Sequence, residues 1–529
     1  LSIPPPPINP CLARCASQAR VDRGGRDAQS ARPSDDTLAG MIHDLLILNG
    51  DLIDGTGAPR VRADLAIDGD RIAAIRRHDD AQAPPLQGRE VIDAGGRVIA
   101  PGFIDVHTHD DTALIVNPAM AMKASQGVTT VICGNCGASA MPFEGEHLPT
   151  LMLLIAKDPA HVSVDFSTHA AKVEAAQPAL NSAFMVGHGT LRMAVMGRDL
   201  QRVASADEIA RMRDLLEISL RQGAIGFSSG LYYPPAMAAT TEEVEQIAEP
   251  VGRLGAVYTA HMRDEGEHIL ASIDETARIG RAAGARSTVI SHHKCRGHAN
   301  FGRMRETLPR IDTLRAKQPL AFDVYPYVAS STALMPHAID PAERVLVTWS
   351  DAVPQAGGRD LAEIAREWDV TPVEAAHRLH PAGAIYFSMD EGDVQSALKH
   401  PAAMVGSDGL PLDAHPHPRL WGTFPRVLGH YSRDLKLFPL EEAVHRMTGL
   451  SARHFNLIDR GELRVGAFAD VCIFDADEVI DLADFEHPTR PSRGIDTVLV
   501  NGQLVWRNGA STAQRPGRVL RRVCDSDQP

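Results

Sequence analysis

The chain has 529 residues, 44% of them hydrophobic and 5% aromatic, with 53 Lys and Arg against 67 Asp and Glu and a formal charge of -14. That length allows roughly two to four domains, or one large barrel with additions, and buries a core without staples. Net acidity and scarce aromatics argue against a nucleic-acid partner, whose phosphates need a basic face, and no run approaches the roughly 18 consecutive apolar residues of a membrane helix.

Residues 1–40 begin with a Pro4–Pro7 run and continue in Arg, Asp, Gly and Ser without apolar periodicity, which predicts a disordered extension. They lack the apolar segment of a signal peptide, and the first Met is Met41, directly before a strand pattern, so the natural product is expected to start there. From 41 to 100 come short alternating runs at 44–48, 64–68, 71–75 and 98–100, with Asp68-Gly69-Asp70 as a hairpin signal. The same texture returns at 469–474 and 497–505, around Asn501-Gly502. One small β-sandwich built from 41–100 and 463–515 accounts for both stretches, leaving 516–529 as a tail.

Between them, 101–462 contains eight short apolar segments, at 102–109, 128–136, 184–192, 224–231, 257–263, 288–294, 320–327 and 403–408, most followed by a helix-like stretch. Eight βα units predict an α/β fold, a (β/α)8 TIM-type barrel whose active site lies at the C-terminal ends of its strands. The long gap before the eighth segment, with helical patterns at 361–368 and 372–379, predicts an inserted lobe at 345–400.

The residue types that suit a metal sit at those strand ends. His107 and His109 close the first segment, and residues two apart in a strand share a face, so both imidazoles can reach one ion. His261 ends the fifth segment and His292-His293 the sixth. Histidines topping several strands can converge in a way that isolated core histidines would only by accident. By strand parity His292 shares a face with Ile290 and Lys294, whereas His293 points toward the helices and is read as structural. Asp408, before Gly409 at the end of the eighth segment, is the carboxylate that completes such a site as metal ligand and general base, although a turn Asp is the blander alternative. Cys133 and Cys136 form C-x-x-C, a spacing that also occurs in redox and structural zinc sites. A single thiolate at Cys136 reaching a metal in the barrel mouth explains the pair better, with Cys133 a buried apolar residue. Seven cysteines, an odd number, on so long a chain suit a reducing compartment such as the cytoplasm.

The runs from Gly50 to Gly57, from Pro101 to His109 and from Ala467 to Val471 resemble the amidohydrolase superfamily. More narrowly, Gly134-Asn-Cys136-Gly, the Gly226 to Pro235 run, Ser291-His-His-Lys294 and Gly406-Ser-Asp408-Gly resemble the N-acyl-D-amino-acid deacylases, over roughly 41–515. The resemblance implies hydrolysis of the amide of a small N-acyl-D-amino acid. It also implies one tight zinc on Cys136, His261 and His292, and a second, weaker position on His107, His109 and Asp408. Lys294, Tyr325 and Arg419 are implied to hold the substrate carboxylate, for which the planar fork of Arg is suited. Many superfamily members bridge two metals with a carboxylated Lys on the fourth strand. The run from Ala224 to Gly230 has none, and Cys136 supplies the missing anion. Hydantoinase-like, dihydroorotase-like or D-peptide hydrolase activity is the enzymatic alternative, and a metal-free scaffold is the remaining one. The preferred D-side chain, neutral, aspartyl or glutamyl, stays open because the centre would be the same for each.

Overall fold

The computed structural model describes residues 41–145 and 147–522; the expected disordered segment 1–40 lies outside them. In chain order the strands are β1 Ile42–Leu52, β2 Val61–Asp68, β3 Arg71–Arg77, β4 Gln87–Asp93, β5 Val98–Pro101, β6 Phe103–Asp105, β7 Val128–Cys133, β8 Asn181–Gly187, β9 Gly226–Gly230, β10 Val257–His261, β11 Thr288–Ile290 and β12 Leu320–Val324. There follow β13 Ala329–Ala333, β14 Arg344–Ser350, β15 Ala382–Phe387, β16 Ala403–Val405, β17 Val471–Phe474, β18 Ile495–Val500, β19 Gln503–Arg507 and β20 Ala510–Ser511.

Strands β6 to β12 and β16 form an eight-stranded parallel sheet in the order β16-β12-β11-β10-β9-β8-β7-β6. A bridge between Thr108 and Gly409 and a hydrogen bond from the Asp408 N–H to the His107 carbonyl at 2.8 Å bring its ends together as a barrel. These strands are buried on both faces, which is why they read as continuous apolar runs. Ile104, Ile132, Met185, Val257, Val289 and Met404, from different strands, pack together in one buried cluster that fills the barrel.

The terminal strands make a separate domain, a nine-stranded sheet in the order β20-β19-β18-β17-β5-β1-β2-β3 with β4 paired to β1. Its own core takes Leu45, Ile47, Leu65 and Ile72 from the N-terminal part and Val471, Ile473 and Leu499 from the C-terminal part. Strand β4 has no apolar alternation to reveal it: only Ile92 is buried, and its pairing with β1 is parallel. The stretch expected as a tail also has structure up to residue 522. Ser182 of β8 bridges Val519, and Leu520 packs on the barrel cluster.

The inserted lobe is a three-stranded antiparallel sheet, β13-β15-β14, with helices Leu361–Glu367 and Pro372–Leu379 beside it. Its bounds differ from the expected 345–400. The first strand, Ala-Ser-Ser-Thr-Ala, starts at Ala329 and has too little apolar bulk to read as a strand, while helix Glu391–Lys399 packs on β12 and β16 of the barrel. The lobe's Leu334, Val347 and Leu361 share one buried cluster with Cys136 and Tyr233, so the lobe packs directly beside the barrel mouth. Among the described residues no helix is long and apolar enough to cross a membrane.

Candidate metal centre

His107, His109, Cys136, His261, His292 and Asp408 lie at or just beyond the C-terminal ends of β6, β7, β10, β11 and β16, and all are buried. Cys136, His292 and Asp408 have φ of 55, 37 and 50°. Left-handed backbone at residues other than Gly costs about 1–3 kcal/mol each and persists where the surroundings over-determine it. Here the chain leaves each strand and turns sharply, which swings the side chain back over the barrel axis. The turn at Cys136 fits because Gly230 crosses it: a Cβ on Gly230 would sit 2.0 Å from the Cys136 carbonyl oxygen. Gly230→Ala is therefore expected to displace the Cys136 turn, with a stability loss of about 1–3 kcal/mol or more and reduced metal content. Thermal melting together with metal analysis checks this; a Gly230→Ala protein with normal melting and metal would contradict the packing described.

The ligand atoms form two overlapping groups, Cys136 with His261 and His292, and Cys136 with His107, His109 and Asp408; within each, they lie within 4.8 Å of one another. The Cys136 Sγ is 3.2 Å from His107 Nε2 and 3.3 Å from His292 Nε2. Asp408 Oδ1 is 3.2 Å from His109 Nε2 and 3.5 Å from His107 Nε2. His293 turns away from the centre and bonds Thr307 Oγ1 at 2.9 Å, its pKa pushed down to about 3 by burial.

Burial opposes ionisation of Cys136, yet the charges of His107 and His292 hold its thiol well below the ordinary range. Burial likewise opposes the Asp408 carboxylate, and Arg419 and His107 outweigh it, so Asp408 is held well below its usual value. At Cys133 burial, reinforced by the Asp111 and Asp110 carboxylates, outweighs Thr108 and Lys123 and pushes the thiol well up, so it stays neutral. The donor set therefore fits a borderline-soft divalent ion. A buried thiolate faces imidazoles, and both ring nitrogens of His261 are buried with no hydrogen-bond partner. A buried imidazole without a partner is costly, and a metal held by Cys136, His261 and His292 would relieve it.

The residues implied for the substrate carboxylate surround this centre, each with a neighbour that the sequence did not reveal. Lys294 Nζ donates to Glu265 Oε1 at 2.6 Å. Arg419 Nη1 pairs with Asp408 Oδ2 at 2.9 Å, its Nη2 donates to the Ser331 carbonyl, and its guanidinium lies 4.5 Å over the Tyr325 ring. Among the described residues neither Nε nor Nη1 of Arg419 has a hydrogen-bond partner, Nη1 meeting Asp408 only as an ion pair, so the Nε–H is free. Asp323, near the end of β12, lies 3.1 Å from His107 Nδ1 and so orients that ring, and it accepts from the His292 backbone N–H at 2.8 Å, which fixes the turn at His292. Parity with Tyr325 two residues on could have found Asp323. Nothing in the local pattern marks Glu265, which sits in a loop. Lys123, also unanticipated, is fully buried; it donates to Asp105 and to Ser407, both at 2.7 Å, and so anchors the turn that carries Asp408.

The profile of the Amidohydrolase family matches residues 90–506. A D-aminoacylase of Alcaligenes xylosoxydans xylosoxydans is 51% identical over 480 residues, covering 91% of this chain and 98% of its own. A solved structure of D-aminoacylase, concerned with one-metal activation and second-metal attenuation of its binuclear centre, superposes with a TM-score of 0.88 at 50% identity, over 91% of this chain and 100% of that one. The N-acyl-D-glutamate deacylase of Bordetella bronchiseptica, complexed with zinc and a phosphonate mimic of the tetrahedral intermediate, superposes with a TM-score of 0.86 at 45% identity, again over 91% and 100%.

Proposed function

The chain belongs to the amidohydrolase family, and from that premise we propose that it is a zinc-dependent deacylase of N-acyl-D-amino acids. It hydrolyses the amide of a linear substrate to a carboxylate and a free D-amino acid. The observation that carries this reading is the convergence of Cys136, His261 and His292 beside Asp408, in a barrel matched along its length by a deacylase at about half identity. The absence of Lys from β9, Gly-Phe-Ser-Ser-Gly, weighs against the hydantoinase-like alternative. Four free, buried cysteines among the described residues, Cys133, Cys136, Cys295 and Cys472, support a reducing compartment such as the cytoplasm.

In this reading Cys136, His261 and His292 hold one zinc tightly, and His107, His109 and Asp408 form a second, weaker position. Zinc held there supplies Lewis acidity, which polarises a carbonyl and acidifies water. Asp408 takes a proton from the attacking water on its carboxylate and delivers it to the leaving amine nitrogen. Arg419 keeps that carboxylate ionised, at the cost of some basicity. The free Nε–H of Arg419, the Tyr325 hydroxyl and Lys294 bind the substrate carboxylate and fix which face of the amide meets the water.

The tandem histidines provide a direct check. His292→Asn is expected to lower zinc content, whereas His293→Asn loses only the Thr307 bond and affects stability or expression. Metal analysis of both purified variants decides, and zinc loss confined to His293→Asn would reverse the assignment. The activity itself is tested with N-acetyl-D- and N-acetyl-L-amino acids across neutral, acidic and basic side chains. Hydrolysis of the D series alone is expected, and equal turnover of the L series would refute the reading.

A further inference from the structure

We propose that Glu265 is a positioning residue that keeps the ring proton of His292 on Nδ1, and so leaves Nε2 bare for the metal, by accepting both from that nitrogen and from the Lys294 ammonium beside it. Glu265 lies in the loop after β10 and is 5% exposed. Its Oε1 is 2.6 Å from Lys294 Nζ and 3.1 Å from His292 Nδ1, while Lys294 Nζ is itself 2.9 Å from that Nδ1. The three groups thus meet at one point beside the metal centre. Its other oxygen, Oε2, lies 3.8 Å from His261 Nε2.

A neutral imidazole carries one proton, on one of its two nitrogens. His292 Nε2, 3.3 Å from Cys136 Sγ, is the nitrogen that faces the ligand group. To bind a metal it must present a lone pair, so the proton must sit on Nδ1. Lys294 works against this arrangement. An ammonium has three donors and no acceptor, and at 2.9 Å its natural bond is to a bare Nδ1, which would move the ring proton to Nε2 and block coordination. Glu265 reverses the preference because its carboxylate accepts from both donors. It draws Lys294 Nζ into a short charge-assisted bond and accepts Nδ1–H from the ring. The remaining polar contacts are to the His292 backbone, Asp323 on its N–H and Lys294 Nζ on its carbonyl at 3.3 Å, and neither occupies Nδ1. Glu265 therefore acts on the metal through His292, and on the substrate carboxylate through Lys294.

The inference uses the proposed function only in taking the metal to be zinc on Cys136, His261 and His292. Its readout is zinc affinity rather than deacylation, so either can fail while the other stands. Zinc affinity is measured by chelator competition on the full chain for the wild type, Glu265→Gln, Lys294→Met and the double variant. Gln keeps the shape and an acceptor but not the charge, which frees Lys294 to turn to Nδ1. Glu265→Gln is expected to weaken zinc binding about 10–100-fold, the range for loss of a ligand's outer partner. Adding Lys294→Met removes the competitor, so the double variant should bind zinc at least about tenfold more tightly than Glu265→Gln whenever the single loss exceeds that. A purely structural role for the ion pair predicts no such rescue. Zinc affinity of Glu265→Gln within about twofold of wild type, or a double variant no tighter than Glu265→Gln, overturns the proposal. Should Glu265→Gln fail to fold, Lys294→Met alone still decides. It should keep or raise zinc affinity, and a fall of about tenfold or more would show that Lys294 supports the site rather than competes with it.

Discussion

Cys136→Ala is expected to lose most of its bound zinc and most of its activity. The thiolate belongs to both ligand groups, and it is the anion that offsets the positive charge drawn to His107 and His292. Without it, the tight position keeps only two imidazoles, and the carboxylates beside them are already engaged, Glu265 with Lys294 and Asp323 with the His292 N–H and His107. Cys133→Ala, by contrast, removes a neutral buried thiol whose Sγ lies 3.4 Å from Thr108 Oγ1. The cost there is a small cavity, about 1 kcal/mol, with zinc retained. Metal analysis and turnover of the two purified variants separate the cases, and equal zinc loss from both would point to a C-x-x-C site instead.

Asp408→Asn preserves shape and removes charge and basicity. Because the tight zinc is assigned to Cys136, His261 and His292, the variant should still carry it, while turnover falls at least roughly 100-fold, the lower bound for removing a positioned acid-base group. The same change strips Arg419 of its only carboxylate partner among the described ion pairs. Arg419 is fully buried, and breaking a buried pair from one side costs about 3–5 kcal/mol, so the variant should also melt earlier. Turnover per zinc-loaded, folded molecule is the quantity to compare. Near-normal turnover at full zinc would mean that another group moves the proton.

The barrel was legible because each of its strands is a short apolar run bounded by polar loops, a direct consequence of burial on both faces. The edges of the other elements were not. Strand β4 is polar and pairs at an exposed margin, the lobe's first strand is built from small residues, and residues 516–522 dock through backbone bonds, two apolar side chains, Val519 and Leu520, and arginine side chains. At the metal centre, the candidate ligands stood out because their residue types recur at strand ends. What brings His292 toward Cys136 is less visible: β11 stops at Ile290, so the turn with φ of 37° at His292 directs the ring, and strand parity names the same residue for a different physical reason. The partners that orient these side chains, Glu265 and Lys123, are single charged residues in a loop and a short helix. Only three-dimensional proximity distinguishes them from solvated charges.

The central claim, that one zinc on the Cys136 group drives hydrolysis of D-configured amides, is tested most directly by stripping the enzyme with a chelator and titrating zinc back while following deacylation of an N-acetyl-D-amino acid. Activity should be absent in the stripped protein and rise linearly to a plateau at one equivalent of zinc, with no gain from a second. Full turnover in the stripped protein, or activity that appears only beyond one equivalent, would contradict it.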